Sequence, residues 1–498
     1  MAGFGNEKIE TDLKATEEAS AASSDIANGE WTEEEEKRVT RKIDLHLVPL
    51  VTVLYLLCFI DRANIGNARI QGMQEDLDLQ VGFRFNWALT IFYIPYLLVE
   101  VPANVALKWI GAKIWIPFLV FGFGVCSLCC GFVTSYQGLY AARFFLGVFE
   151  GGTMPGIAFF LSCFYKKHEL MTRVGFFISG SSMAGAFGGL LATGLSKIPA
   201  WGAESMRIAQ WRNIFFFEGI ITILAATLGY YLMPKGPDTA TFLTEHERFI
   251  AYERIQREHK EQSAEKATVD DVARGLLNIS NTLMALGFFF CNATVQSFSL
   301  FLPTILRDLG WNSTKAQLLT VPPYAIACLW SIFVSWVSDR IKKRGLLIII
   351  HGFIAMLGYI ILITIDPLRS NIKYMAVFFS AIGAFPIGPF FLGWGLNNAA
   401  GPTIRAVASG YIVSIGTFGA VLATWTYLPK DAPLFYTGHK INIGCQSGLI
   451  GISMMALAYV YWENKVRREG KRDHRLEGLS EMEKIKLGYR HPEFRYVD

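Results

Sequence analysis

From about residue 44 onward, apolar blocks of about twenty residues alternate with short polar connections. A helix rising 1.5 Å per residue needs that length to cross a hydrocarbon core of ~30 Å. Twelve such blocks are expected, at 44–66, 85–107, 114–134, 138–161, 173–195, 213–233, 280–303, 317–337, 346–365, 373–395, 406–427 and 442–462. Residues 1–43 are polar and acidic, without the basic n-region and small-residue cleavage site of a secretory signal. The first block is therefore expected to insert as its own anchor. The pattern predicts an all-α, multi-pass membrane protein.

The longest polar interruption, 234–279, divides the blocks into six (44–233) and six (280–462), leaving a tail at 463–498. Its middle, Thr244 to Gln262, opens with a Thr cap and a Glu three residues on, then runs as a charged helix with a thin apolar stripe. A solvated tether is expected there. The two halves resemble each other weakly: MQEDLDL (Met73 to Leu79) follows the first block and LRDLGW (Leu306 to Trp311) the seventh. Sliding one onto the other sets Asp61 and Arg62 opposite the neighbourhood of Asn292 and Gln296, a pattern expected of transporters built from repeats.

Composition sharpens this picture. Of 498 residues 52% are hydrophobic and 18% charged, and the net charge is only +4. The excess bases lie beside the blocks, which suits lipid headgroups and leaves no nucleic-acid footprint. Lys37, Arg38, Arg41, Lys42, Lys166, Lys167, Arg340 to Arg344 and Lys465 to Arg472 fall on one side. By the positive-inside rule both termini and the long loop are cytoplasmic. All eight cysteines fall in or at the edge of blocks, and Cys126, Cys129 and Cys130 read as small packing residues rather than metal ligands. No nucleotide loop, metal cluster or partnered nucleophile is present, so neither an enzyme nor a cofactor beyond a proton gradient is expected.

The informative exceptions are charges inside the blocks. Arg143 and Glu150 share the stretch Gly138 to Leu161, and Asp61 and Arg62 adjoin in the first block. Each charge in hydrocarbon costs at least a few kcal/mol, so such groups need partners, a wet cavity or a function. Seven residues turn a helix almost twice, which places Arg143 and Glu150 on one face about 10 Å apart. A guanidinium stays charged and grips a carboxylate through paired hydrogen bonds; a carboxyl in the same cleft exchanges a proton as its surroundings change. All four are expected to line one outward-opening cavity, a static ion-pair network between helices being the alternative. Asn292 and Gln296, four apart, share a face and could hold the other end of a ligand or simply bond between helices.

The loop SWVSDRIKKR (Ser335 to Arg344) resembles the G-x-x-x-D-R-x-G-R-K signature of the major facilitator superfamily, with Asp339 and Arg340 as its cytoplasmic gate. The first-half copy, Asn104 to Lys113, has Lys108 in place of the Asp. Within that superfamily the chain is similar to the anion:cation symporters, specifically the fungal allantoate and nicotinate permease group. The motifs are DRANIGNA (Asp61 to Ala68), FNWALTIFYIPYLLVEVPAN (Phe85 to Asn104), ARFFLGVFEGGTMPG (Ala142 to Gly156), WRNIFFFEG (Trp211 to Gly219), NNAAGPTIRA (Asn397 to Ala406) and DAPLFYTGH (Asp431 to His439). The resemblance implies a twelve-helix fold in two halves. It also implies that Asp61 and Glu150 carry protons while Arg62 and Arg143 face a substrate carboxylate.

The function so implied is proton-coupled import, by alternating access, of a small organic anion such as nicotinate, pantothenate or allantoate, at the plasma membrane. Export of a secondary metabolite is the rival, and a nutrient sensor with a transporter fold a third reading. Other expectations are modest. Asn312 heads a glycosylation sequon in an exterior loop; Glu100 pairs with the basic loop around Arg173; Ser179, Ser181 and Ser182 serve close helix packing.

Overall fold

The computed structural model describes residues 31–202, 208–262, 269–366, 368–399, 402–478, 484 and 487–498. The first helix, α1 (Glu33–Ala68), starts eleven residues before the expected span, because Thr32 and Glu35 form a reciprocal capping box and four glutamates fill its first turn. The rest of the first half comprises α2 (Arg84–Ile110), α3 (Ala112–Cys130), α4 (Tyr136–Glu150), α5 (Thr153–Ser162), α6 (Lys167–Leu195) and α7 (Trp211–Leu232). The linker carries α8 (Glu245–Gln262) and α9 (Val269–Leu276). The second half comprises α10 (Ile279–Asp308), α11 (Ser313–Ile341), α12 (Arg344–Thr364), α13 (Ser370–Ala384), α14 (Ile387–Asn397), α15 (Pro402–Thr424) and α16 (Tyr436–Arg468).

Among the described residues ten rods, counting α4 with α5 and α13 with α14, are long and apolar enough to cross a membrane. Helices α2 and α6, of 27 and 29 residues, run beside them. The fourth and tenth spans are each broken, at Gly151–Gly152 and at Phe385–Pro386, where unbroken helices were expected. The cause is local: two glycines forfeit helix propensity, and Pro386 cannot donate to the helix ladder. Irregular backbone at that depth is tolerated where it is buried or lines a cavity.

Each half has its own apolar core. The first gathers Leu47, Leu54, Phe123, Phe160 and Phe164, and the second Met284, Phe391, Trp394 and Leu449. Two further clusters bridge the halves at the end remote from the linker, joining Ile65, Leu77 and Phe85 to Leu300 and Phe301, and Ile70 to Leu302 and Tyr324. Hydrogen bonds reinforce that far end: Asn86 donates to the Thr424 carbonyl at 2.6 Å, Gln71 to Gln317 at 2.8 Å, and Gln317 to the Asn67 carbonyl at 3.2 Å.

The linker helix is not a solvated tether. Ile250, Ala251 and Ile255 are buried, and Arg254 reaches the Phe164 carbonyl at 2.7 Å, Glu169 at 3.4 Å and the Thr40 hydroxyl. Lys42–Glu247 and Lys166–Glu36 pairs flank it. The thin apolar stripe suffices because it carries an arginine that satisfies carbonyl and carboxylate groups at the helix ends below. Arg173 pairs with Asp44, at 2.6 and 2.7 Å, rather than with Glu100. In the second half the chain's last residues fold back: Asn398 donates to the Val497 carbonyl at 2.9 Å and accepts from its N–H at 2.8 Å, while Trp394 donates to the same carbonyl at 2.7 Å.

Candidate functional site

Glu150 is the last residue of α4, immediately before the Gly151–Gly152 break. Close approach of α2 fixes it there: a methyl group added at Gly147 would fall on the Phe92 carbonyl, and one at Gly151 would lie 2.6 Å from that of Tyr96. The helices can meet so closely only because these positions lack a Cβ. Glu150 is 2% exposed and its partner is Arg62, not Arg143. Oε1 accepts both Arg62 Nε at 3.0 Å and Nη2, while Oε2 has no partner.

The Arg62 guanidinium sits in a ring of aromatic faces, with its carbon 4.8 Å from the Phe59 centroid, 5.3 Å from Tyr96 and 5.4 Å from Phe92. That cage holds a cation in place even when its counter-ion changes. Among the described residues Arg62 is also the single charged side chain lining a cavity of about 140 Å³ between the halves. At ~10–15 Å³ per probe sphere this is room for on the order of ten waters or one small organic molecule. The first half contributes Tyr55, Phe59, Tyr93, Tyr96 and Met154, and the second Asn292, Gln296, Phe385, Gly388 and Thr417, among others. Both broken spans thus supply wall residues next to their breaks.

Asn292 and Gln296 line this cavity as a pair on α10. Asn292 donates to the Gly416 carbonyl of α15 at 2.7 Å, and Gln296 accepts from Tyr93 across the halves at 3.2 Å. The cross-half alignment of Arg62 with Asn292 and Gln296 agrees with this placement.

The expectation that all four charges line one outward-opening cavity is corrected. Of the four, Arg62 alone is in the wall, and the far end is packed shut. Adjacent residues on a helix diverge by ~100°, so Asp61 points into the first half, where it accepts from Ser127 of α3 at 2.9 Å and Thr222 of α7 at 3.2 Å. Arg143 is 1% exposed beneath Phe92, 5.3 Å from its centroid, with Nε and Nη1 unpartnered. The site therefore has one ion pair at the cavity, Arg62–Glu150, and behind it an arginine and an aspartate.

Glu218 of α7, inside the WRNIFFFEG motif, is a further buried acid beyond the four charges named from the sequence. It is 2% exposed with both carboxylate oxygens unpartnered. An acid in the middle of an apolar block, the same signal that marked Glu150, was there to find it.

The remaining candidates lie elsewhere. Arg340 is exposed and stacks 4.1 Å from Trp336 of its own helix, while the side chain of Asp339 lies outside the described residues, as do those of Ser179, Ser181, Ser182 and Lys108. Asn312 is exposed and caps α11 by accepting from the Lys315 N–H at 2.8 Å. Asn398 serves the tail rather than the cavity.

Chemically, this arrangement sets a carboxyl and a cavity-facing guanidinium in one ion pair. Protonating Glu150 would dissolve its claim on Arg62, leaving a caged guanidinium facing the cavity; a ligand carboxylate could then replace it through two parallel hydrogen bonds.

Known proteins place the molecule. The model of the Major Facilitator Superfamily matches residues 51–424. An uncharacterized transporter of Schizosaccharomyces pombe is 33% identical over 465 residues, covering 93% of this chain and 90% of its own. An MFS-type transporter of Penicillium expansum is 32% identical over 482 residues, covering 93% and 90%. Among solved structures, the partially occluded inward-open form of the E. coli xylose transporter XylE superimposes with a TM-score of 0.62 at 13% identity, covering 81% of this chain and 96% of its own. A bacterial homologue of the human lysosomal transporter Spinster gives 0.60 at 15%, covering 86% and 97%. With its all-helical two-half fold, its central cavity and these relatives, the chain belongs to the major facilitator superfamily and is a membrane transporter rather than an enzyme.

Proposed function

We propose that this transporter imports a small organic carboxylate together with protons, by alternating access. The observation that carries the reading is that the one charged side chain among the described residues of the cavity wall, Arg62, is tied to a buried carboxylate, Glu150. An arginine in an apolar, aromatic wall selects an anion, and a carboxylate that shares it makes anion binding depend on a proton. The neutral amides of Asn292 and Gln296 receive the far end of the ligand. The resemblance to the allantoate and nicotinate permease group favours compounds of that class, monocarboxylates with a compact polar body.

The proposed orientation rests on the basic clusters beside the linker side of the bundle, which by the positive-inside rule favour cytoplasmic termini. On that orientation the sealed far end faces outside, and the ion pair is the state left after substrate and proton have departed inward. The cycle then reads in order. Glu150 takes a proton from outside, Arg62 receives the carboxylate, the halves rock, and loss of the proton inside lets Glu150 reclaim Arg62 and expel the anion. The plasma membrane is the proposed site.

A thermal-stabilisation screen of the purified protein with nicotinate, pantothenate and allantoate against their neutral amide or ester analogues identifies the ligand class. Stabilisation by carboxylates and not by the neutral forms supports the reading; preference for the neutral forms rejects it. Radiolabel uptake into permease-deficient yeast, with and without an uncoupler, then reads direction and coupling, and substrate leaving the cells against its gradient would indicate export instead.

A further inference from the structure

Glu218 stands one turn before Thr222 on α7, and the Thr222 hydroxyl donates to Asp61. Residues four apart share a helix face, so Glu218 lies on the side of α7 that meets Asp61, and the two carboxyl groups interact electrostatically. Ser127 of α3 closes the pocket from its other side. Both acids sit in a wall between α1, α3 and α7, apart from the residues lining the cavity. Among the described residues Glu218 has no hydrogen-bond partner at either oxygen. Ionised there, it would forfeit hydration and gain nothing, at a cost of several kcal/mol; the neutral acid avoids that cost.

The elements packed against α7 also carry Tyr55, Cys58 and Arg62 of α1, Arg69 of the turn after it, Cys126, Cys129 and Cys130 of α3, and Glu169 and Arg173 of α6, among others; Arg143 of α4 acts on Asp61 and Cys130. Asp61 is the charged neighbour that acts on Glu218.

We infer that Asp61 and Glu218 form a two-carboxyl site that carries one proton, held on Glu218 in the state seen here, while Asp61 keeps the hydroxyl donors Ser127 and Thr222. Two acids so placed resist ionising together, and the proton belongs to the pair. The site differs in kind from Arg62–Glu150: substrate competes with Glu150 for Arg62, whereas nothing in the cavity wall competes for Glu218. Assigning this proton to transport rests on the proton-coupled import proposed above. Its occupancy does not, and can be read with no substrate present.

The test is pH-titrated infrared difference spectroscopy of the purified protein in lipid, reading the C=O stretch of a protonated carboxyl. We expect the band at neutral pH in the unmodified protein and in Glu150→Gln, and its loss in Glu218→Gln. In Asp61→Asn the band should titrate away about one pH unit lower or more, a tenfold change in the proton equilibrium, because a nearby negative charge no longer opposes ionisation of Glu218. Should Glu218→Gln fail to fold, the shift in Asp61→Asn and a displaced band in Thr222→Val report the same pair. A band that survives Glu218→Gln, or a titration unmoved by Asp61→Asn, overturns the inference. An unmodified protein that accumulates substrate by proton drive yet shows either result loses only the carboxyl pair; one with the expected spectra but uptake indifferent to an uncoupler loses only the import reading.

Discussion

The two halves share an architecture and differ in what they bury. Around the middle of its spans the first half holds Asp61, Arg62, Arg143, Glu150 and Glu218. The second half buries no carboxyl among its described spans around the cavity; its buried polar groups there are amides, hydroxyls and an imidazole bonded to one another: Gln446 to Thr294 at 2.8 Å, Ser297 to Asn442 at 3.0 Å, Asn442 to Tyr427 at 3.2 Å, and Tyr427 with His439 at 3.1 Å. A hydrogen-bonded amide has the same energy at any pH near neutrality, whereas each carboxyl changes its partners when it gains a proton. On the proposed cycle this difference gives the switching to the first half, and leaves Asn292 and Gln296 of the second as neutral wall groups. The inner ends repeat the contrast, since α8 is clamped to the first half by ion pairs, and the tail is held on the second by Asn398 and Trp394.

The largest effect that would sharpen this comparison comes from Arg62→Ala, which leaves Glu150 buried without a counter-ion and removes the anion site. Losing one partner of such a pair costs about 3 kcal/mol, on the order of 100-fold in affinity, read by titration of the stabilising carboxylate. Next is Arg254→Ala, which strips the linker clamp and should lower stability by about 3 kcal/mol in thermal unfolding. Asn398→Ala, its counterpart in the second half, should cost about 1 kcal/mol and mainly expose the tail to protease. Asn292→Leu should weaken ligand binding only a few-fold, or about 1 kcal/mol, without altering its pH dependence. Equal losses from Arg62 and Asn292 would erase the proposed division between halves.

The smallest effect is a pH response of the linker. Burial raises the Glu247 pKa, but its hydrogen bonds to Lys42 and the Thr244 N–H outweigh burial and hold it below the ordinary 4.5. A lowered acid stabilises the docked helix fully above its ordinary value and loses that contribution as pH falls through the lowered one. Hydrogen-exchange protection of α8, corrected for the intrinsic rate at each pH, should therefore fall from about pH 5 to about pH 3 while that of the Asn398-held tail stays constant.

Much of this was legible in the chain. Block length gave the spans, and costly charges within them pointed to Arg62 and Glu150, now found bonded at the cavity. What periodicity could not show was azimuth in three dimensions: Arg143 and Glu150 share a face, yet Arg62 from another helix reaches Glu150 first, and Asp61 turns away. The broken fourth span was signalled by Gly151 and Gly152, but a hydropathy window averages such pairs away. The docking of α8 depends on carbonyls and carboxylates offered by residues 36 to 169, contacts that no local pattern encodes.

The central claim, that Glu150 couples a proton to the anion held by Arg62, is tested most directly by comparing accumulation with exchange in Glu150→Gln proteoliposomes, using the carboxylate that stabilises the purified protein. A side chain that cannot ionise never reclaims Arg62, so proton-driven accumulation should vanish while exchange of labelled for unlabelled substrate across the membrane persists. Accumulation that survives in Glu150→Gln at the rate of the unmodified protein would contradict the account.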